Sequence, residues 1–316
     1  MKILFMGTPL FSVPSLESLH RSGQEIVAVL TAPDRPGGRG RRLIAPPVKD
    51  RARKLGLDIW QPQKLSGSDF FHRLRNLAPD LIVSAAFGRY IPAVLLESVP
   101  RGGINLHPSL LPRYRGAAPI AWALIRGDEI SGVTVHYLSG EMDAGDILAQ
   151  ETVAIAPDDD LPALSRKLAR KGAELLLGVV RQIEGDQTRP RPQDENEATA
   201  APKLSKENGH LNWKQPASDI YNLVRGLNPW PGAYTFISGK KGVRMLKIIK
   251  AAVLEDAGGD PGEILEASGD RLVIAAGEGA IGILSLQLEG GRKMSAAEFL
   301  RGHRLRAGEM MNSARG

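Results

Sequence analysis

The sequence predicts an α/β fold followed by a second, β-rich part, with a mostly parallel sheet domain over residues 1–189, a linker over 190–204 and a small β-barrel over 205–316. Three observations lead there. Up to Gly185, short apolar runs alternate with helix-like segments, the pattern of parallel strands joined by crossover helices in a Rossmann-like sheet. Between Asp186 and Pro202 the chain carries Pro190, Pro192, Asp194, Glu195, Glu197 and Pro202 with almost no large apolar residue, a linker composition. After Lys203, many short strand candidates separated by Gly-rich turns suggest a small barrel, a description that oligonucleotide-binding barrels fit and other small β domains fit as well.

Taken in order, Ile3 to Met6 reads as a buried strand, Pro14 to Leu19 as helix and Ile26 to Leu30 as a second strand. Pro47 opens a helix through Leu55, Ile59 lies in a brief strand, Phe70 to Leu77 is helical and Leu81 to Ser84 is a strand. After Pro92 to Leu96 comes a strand that runs into Asn105. Ile120 to Ile125 reads as helix, Val133 to Tyr137 and Ile147 to Val153 as strands. The triplet Asp158-Asp159-Asp160 suits the amino end of a long helix with a stripe at Leu161, Leu164, Leu168, Leu175, Leu176, Val179 and Ile183. In the last third, Ser218 to Val224 reads as helix, and Tyr234 to Ile237, Val243 to Ile249, Leu272 to Ala275 and Ile281 to Leu288 as strands.

Composition narrows the function. With 316 residues, 42% hydrophobic and 24% charged, the chain is long enough for two cores. It has no cysteine, which excludes disulfides and thiolate metal sites and points to a reducing compartment, the cytosol. Met1 to Gly7 shows no signal-peptide layout, and no apolar run reaches the roughly 18 residues of a membrane span, so export and membrane insertion are not expected. Nothing signals an obligate partner, and a monomer is the default. The net charge of +6 is concentrated: from Asp34 to Lys54 there are eight basic residues, Arg35, Arg39, Arg41, Arg42, Lys49, Arg51, Arg53 and Lys54, against Asp34 and Asp50. Such a segment is either a solvated surface loop or an arm that grips phosphates; the close guanidinium groups of Arg39-Gly40-Arg41-Arg42 suit sugar-phosphate contacts.

The candidate site is the stretch from Gly103 to Gly116. Period-two alternation puts Asn105 and His107 on one side of a strand and Ile104 and Leu106 on the other. Pro108 and Pro112 then stop the strand and stiffen a loop. Ligands of parallel sheets bind outside the carboxyl ends of strands, which is where this pair lies. An amide and an imidazole there can hold a developing oxyanion, and a carboxylate can manage protons. Asp143, in Glu141-Met142-Asp143-Ala144-Gly145-Asp146, is the chosen carboxylate, although spacing alone does not put it beside His107. Gly7-Thr8-Pro9 lacks G-x-G-x-x-G, and the chain has no Walker A, H-E-x-x-H or G-x-S-x-G sequence, leaving nicotinamide, ATP, zinc and elbow-serine chemistry without support.

Asn105-x-His107, Ser109-Leu110-Leu111-Pro112, Arg113-Tyr114-Arg115-Gly116-Ala117-Ala118-Pro119-Ile120 and Met142-Asp143-Ala144-Gly145-Asp146 together resemble the folate-dependent formyltransferases, and the resemblance spans nearly the whole chain. The basic loop from Pro33 to Arg42, the segment Leu223 to Ala233 with Asn228-Pro229-Trp230-Pro231-Gly232, and Phe299-Leu300-Arg301-Gly302 are similar to members that act on an aminoacyl-tRNA. The resemblance implies 10-formyltetrahydrofolate as formyl donor, initiator methionyl-tRNA as acceptor, and no metal. It implies Asn105, His107 and Asp143 as catalytic residues, Ser109, Leu110, Leu111 and Pro112 along the folate site, and Arg35, Arg39, Arg41, Arg42, Lys206 and Arg301 on the tRNA. Two departures border the implied pocket: Leu10 stands where an acidic residue is usual, and Ala86-Phe87-Gly88-Arg89-Tyr90 replaces Ala-Tyr-Gly-Gln. An enzyme acting on an amino-sugar nucleotide would keep the same triad, and a non-catalytic RNA-binding protein would keep the scaffold; the intact triad argues against the second and the basic loop against the first.

Overall fold

The computed structural model of the chain describes residues 1–37, 42–239 and 242–311, and of Arg42 only the backbone. Its contacts divide it into two compact units. The first comprises Met1–Pro119, Ile130–Ile155 and Leu164–Pro202, the second Ile120–Glu129, Ala156–Ala163 and Lys203–Gly316.

The chain begins β1 (Lys2–Gly7), α1 (Val13–Arg21), β2 (Glu25–Leu30), β3 (Arg35–Gly37), β4 (Arg42–Ile44), α2 (Pro47–Lys54), β5 (Ile59–Trp60), α3 (Ser68–Leu77), β6 (Leu81–Ala85), α4 (Ala93–Glu97), β7 (Gly103–His107) and β8 (Arg115–Gly116). It continues with α5 (Pro119–Ile125), β9 (Ile130–Tyr137), β10 (Ile147–Ala154), α6 (Leu161–Glu184) and β11 (Ala200–Ala201). Seven strands form one sheet in the order β10-β9-β7-β6-β1-β2-β5. The five from β5 to β7 in that order run parallel, and β9 and β10 close the other edge antiparallel. The parallel strands are buried on both faces, which is why they read as continuous apolar runs.

The two faces of this sheet do different work. Leu4, Met6 and Ile82 pack with Phe70 and Leu74 of α3 and Leu95 and Leu96 of α4. On the opposite face Leu106, 1% exposed, lies against α6 at Gly172, where a Cβ would come within 2.8 Å of its Cδ2. The stripe of α6 that is buried, Leu164, Leu168, Ala169, Gly172, Ala173, Leu176, Val179, Val180 and Ile183, narrows to small residues there so that helix and strand can approach.

The segment after α6 is pinned to the rest of its unit. Arg191 exchanges backbone hydrogen bonds with Ile147 at 2.8 and 2.9 Å, Arg115 N donates to Thr199 O at 2.8 Å, and β11 pairs in parallel with β8. Exposed prolines and carboxylates gave it a linker's composition, yet its backbone is bonded on both sides.

The second unit continues with α7 (Ala217–Leu227), β12 (Ala233–Gly239), β13 (Gly242–Leu254), β14 (Ile264–Ser268), β15 (Arg271–Ala275), β16 (Ala280–Leu288), β17 (Lys293–Ser295) and α8 (Ala296–Gly302). Its antiparallel sheet runs β12-β13-β16-β15-β14, with β17 on β16. The cross-strand row Ala233, Ile248, Leu286 faces a core shared with Ile220 and Val224 of α7 and Phe299 of α8. Ser295 opens α8 with a reciprocal cap, its hydroxyl accepting from Glu298 N at 3.2 Å while Glu298 Oε2 accepts from Ser295 N at 2.9 Å.

Candidate active site

β7 sits between β6 and β9, so its carboxyl end is walled on both sides. The register sets Asn105 opposite Ser84 on β6 and opposite His136 on β9, and His107 opposite Thr134. Asn105 and His107 therefore share one face, with Ile104 and Leu106 on the other, and His107 is 3% exposed.

The donor and acceptor roles at the histidines follow from their neighbours. His136 Nδ1 lies 2.8 Å from the carbonyl of Tyr137, which can only accept, so Nδ1 carries a proton. In the neutral ring Nε2 then accepts, and Asn105 Nδ2 donates to it at 3.3 Å. Burial is the largest reason that the His136 pKa is lowered to about 4; His107 pushes it the same way, and Asp143 opposes. Although Asp143 Oδ1 is 3.7 Å from His136 Nε2, the ring is neutral near pH 7 and the two form no ion pair there. His107 Nε2 donates to Tyr114 O at 2.9 Å, which turns its Nδ1 toward Asp143 Oδ1 at 3.6 Å.

Asp143 reaches this point from the loop between β9 and β10. Its backbone lies at φ 54°, in the left-handed region, and its Oδ2 accepts from Gly116 N at 2.9 Å. Gly145 two residues on is required by space, since a Cβ there would overlap the carbonyl oxygen of Tyr137. Asn105, His107 and Asp143, separated by 38 positions at the extremes, thus converge at the end of β7, with His136 joining them.

The loop after β7 is braced from the same strands. Ser109 is fully buried, and its Oγ donates to Arg113 O at 2.6 Å. Thr134 Oγ1 donates to Ser109 O at 2.7 Å and accepts from Leu111 N at 3.0 Å, while Gln150 Nε2 donates to Leu111 O at 2.8 Å. Leu111 and Pro112 are buried and Leu110 is half-buried. At the ends of β1 and β6, Thr8 Oγ1 donates to Phe87 O at 2.9 Å; Phe87 is buried, whereas Leu10 and Tyr90 are 65% and 66% exposed.

Of the basic residues, Arg35 is exposed on β3, Lys206 and Arg301 are exposed in the second unit, and Arg39 and Arg41 lie outside the described residues, as does the Arg42 side chain. Asp34 anchors the start of the basic segment through Lys49 Nζ at 2.7 Å and Gln61 Nε2 at 2.9 Å, and those bonds lower its pKa. Among the described residues no group of three or more His, Cys, Asp or Glu could hold a metal ion, and no helix is long and apolar enough to cross a membrane.

Two domain models match, Formyl transferase over residues 1–180 and Formyl transferase, C-terminal domain, over residues 203–304. The chain belongs to the formyl transferase family. A methionyl-tRNA formyltransferase of Syntrophus aciditrophicus (strain SB) is 46% identical over 98% of both chains. One from Caldanaerobacter subterraneus subsp. tengcongensis is 44% identical over 98% of this chain and all of its own. Among solved structures, an N-formyltransferase from Helicobacter canadensis with folinic acid and dTDP-3-aminofucose superposes with TM-score 0.67 at 18% identity, over 93% of this chain and 100% of that one. HypX from Aquifex aeolicus with tetrahydrofolic acid gives 0.66 at 22% identity over 95% of this chain, which spans 47% of HypX. These two show that a formyl transferase chain of this sequence has a fold shared with both proteins.

Sequence reasoning missed His136, Thr134 and Gln150. His136 and Thr134 had a signal: they are the polar alternate positions of an otherwise apolar strand, on the face of Asn105 and His107. Gln150 had none, being an ordinary polar residue on an edge strand.

Proposed function

We propose that this chain transfers the formyl group of 10-formyltetrahydrofolate to the α-amine of initiator methionyl-tRNA. Residues 1–189 do the chemistry and residues 205–316 hold RNA, joined through 190–204. The observation that carries the reading is the meeting of Asn105, His107 and Asp143 at the carboxyl end of β7. The relatives' shared name supports the acceptor.

The amine attacks the formyl carbon, forming a C–N bond as the carbonyl oxygen becomes an oxyanion. One hydrogen of Asn105 Nδ2 is spent on His136, which fixes the amide so that the other points to the oxyanion. His107, with Nε2 committed to Tyr114 O, meets the site through Nδ1, the edge beside Asp143. Collapse breaks the bond to folate N10, which takes up one proton while the amine gives up one. Asp143, whose side chain is 14% exposed, moves that proton. Neutral His136 adds no positive charge to the pocket.

Flat, partly apolar donors suit the exposed Leu10 and Tyr90 on neighbouring loops, and Leu110 to Pro112 wall the same end of the sheet; Ser109 serves by bracing that wall. Arg35, Arg39, Arg41 and Arg42, with Lys206 and Arg301, supply phosphate contacts. Asn105, His107 and Asp143 come from one chain, in keeping with a monomer, and the substrate places the enzyme in the cytoplasm.

The test is formyl transfer from 10-formyltetrahydrofolate to charged initiator methionyl-tRNA, with amino-sugar nucleotides run in parallel. His107→Ala and Asp143→Ala should each lower kcat by about 10²–10⁴-fold while the tRNA still binds. Near-normal turnover in either variant, or preference for the sugar nucleotide, sinks the reading.

A further inference from the structure

We propose that Gln193 is a positioning residue for Asp143, oriented for that task by Arg115 and Glu195; the inference rests on the catalytic role given to Asp143 above.

The chemistry of the donors leaves one orientation for the Gln193 amide. Arg115 Nε and Nη2 both lie against Gln193 Oε1, at 3.0 and 2.8 Å, and a guanidinium can only donate. The oxygen therefore faces Arg115, and Gln193 Nε2 turns both of its hydrogens the other way. They meet two carbonyl oxygens of the Asp143 loop, Asp143 O at 2.7 Å and Gly145 O at 2.8 Å. Arg115 is itself fixed by Glu195, with Nη1 on Oε2 and Nη2 on Oε1, each at 2.8 Å. That pairing raises the Arg115 pKa and lowers that of Glu195, so both stay charged.

The loop is thereby held from two sides by neighbouring residues of one strand. Arg115 acts on the Asp143 backbone through Gln193, and Gly116 N donates to the Asp143 carboxylate at 2.9 Å. The strand that carries them, β8, is paired with β11, and Gln193 lies eight residues before Ala201 in the same segment. Asp143 at φ 54° lacks the support of a regular element, so these bonds decide where its Oδ1 sits relative to His107 Nδ1. Without the Gln193 amide two carbonyls lose their donor, and a displacement on the order of 1 Å at a catalytic group costs up to about 10²-fold in rate.

Gln193→Met keeps the side chain's length and removes both donors. It should lower kcat about 10–100-fold and leave KM for 10-formyltetrahydrofolate within about 3-fold, since the group acts on the transition state through Asp143. Gln193→Glu keeps the shape but sets a carboxylate against two carbonyls, and should be no more active than Gln193→Met. The deciding arm is a double-mutant cycle in single-turnover assays: on an Asp143→Ala background, Gln193→Met should cause less than about a 2-fold further loss. The wild-type rate is the reference in every arm, so absence of wild-type formyl transfer counts against the proposed function and not against this inference. Full additivity with Asp143→Ala, or a Gln193→Met enzyme within about 2-fold of wild type in kcat, overturns it.

Discussion

His136 gives the first unit a pH dependence that can be worked out from the structure. The ring is 1% exposed, donates to Tyr137 O and accepts from Asn105, and its pKa is about 4. An unfolded histidine titrates near 6.5. As pH falls from 6.5 toward 4 the unfolded chain takes up a proton that the folded chain refuses, so stability that is present above 6.5 is lost as the solution is acidified through this window. At about 1.36 kcal/mol per pH unit, the loss reaches about 2 kcal/mol by pH 5 and about 3 kcal/mol below pH 4. His136→Gln abolishes the titration while leaving an amide that can still accept from Asn105. Its fixed cost in packing is the same at every pH and cancels from the difference.

Calorimetric melting of wild type and His136→Gln at pH 7.5 and pH 5.0, in matched buffers, isolates the effect because carboxylates common to both proteins also cancel. For a unit of this size about 1 kcal/mol shifts Tm by about 2–4 °C. Wild type should therefore lose about 4–8 °C more than the variant between the two pH values. Equal losses, within about 1 °C, would show that His136 is protonated as readily folded as unfolded, and would remove the neutral acceptor on which the Asn105 orientation depends.

Gly172→Val drives a Cβ within 2.8 and 2.9 Å of the two δ-methyls of Leu106, which is fully enclosed and has nowhere to retreat. Overpacking of this kind costs about 1–3 kcal/mol; melting should fall by several degrees and kcat should fall with it, because Leu106 adjoins His107, and an unchanged melt would contradict the packing described. Lys206→Ala and Arg301→Ala, both exposed, should each reduce the slope of log K against log salt for tRNA by about 1 without changing its preference among sequences. A salt slope identical to wild type in both would take these residues off the RNA.

How far the sequence foretells the site depends on what holds each residue. Asn105 and His107 were legible because a strand imposes period two, and the apolar Ile104 and Leu106 reveal the phase. The long helix α6 was legible for the same reason, although Leu161 and Leu175 are only half-buried and Ala169, Gly172 and Ala173 take the innermost places. Asp143 was legible as a candidate carboxylate in an Asp/Gly turn but its place beside His107 was not, since that depends on the turn and on donors 27 and 50 residues away. Gln193 was hidden for a physical reason: a strap held by backbone and amide bonds needs no apolar residues, so its composition is that of a linker. The capping pair Ser295 and Glu298 is the reverse case, a local S-x-x-E pattern that the sequence reading left unused and that the structure realises as a capping box.

That contrast bears on how the chemistry is divided. The groups proposed to meet the reacting oxygen, Asn105 and His107, stand on a strand paired with a neighbour on each side. The group proposed to move the proton, Asp143, stands on a loop, 3.6 Å from His107, a distance too long for a closed hydrogen bond. A carboxylate locked onto the imidazole would spend its charge in the resting site, whereas one held beside it by Gly116 N stays available while the oxyanion forms. Holding a loop carboxylate at that separation takes bonds from outside the sheet, and the Gln193 amide of the strap after α6 supplies two of them, to Asp143 O and Gly145 O.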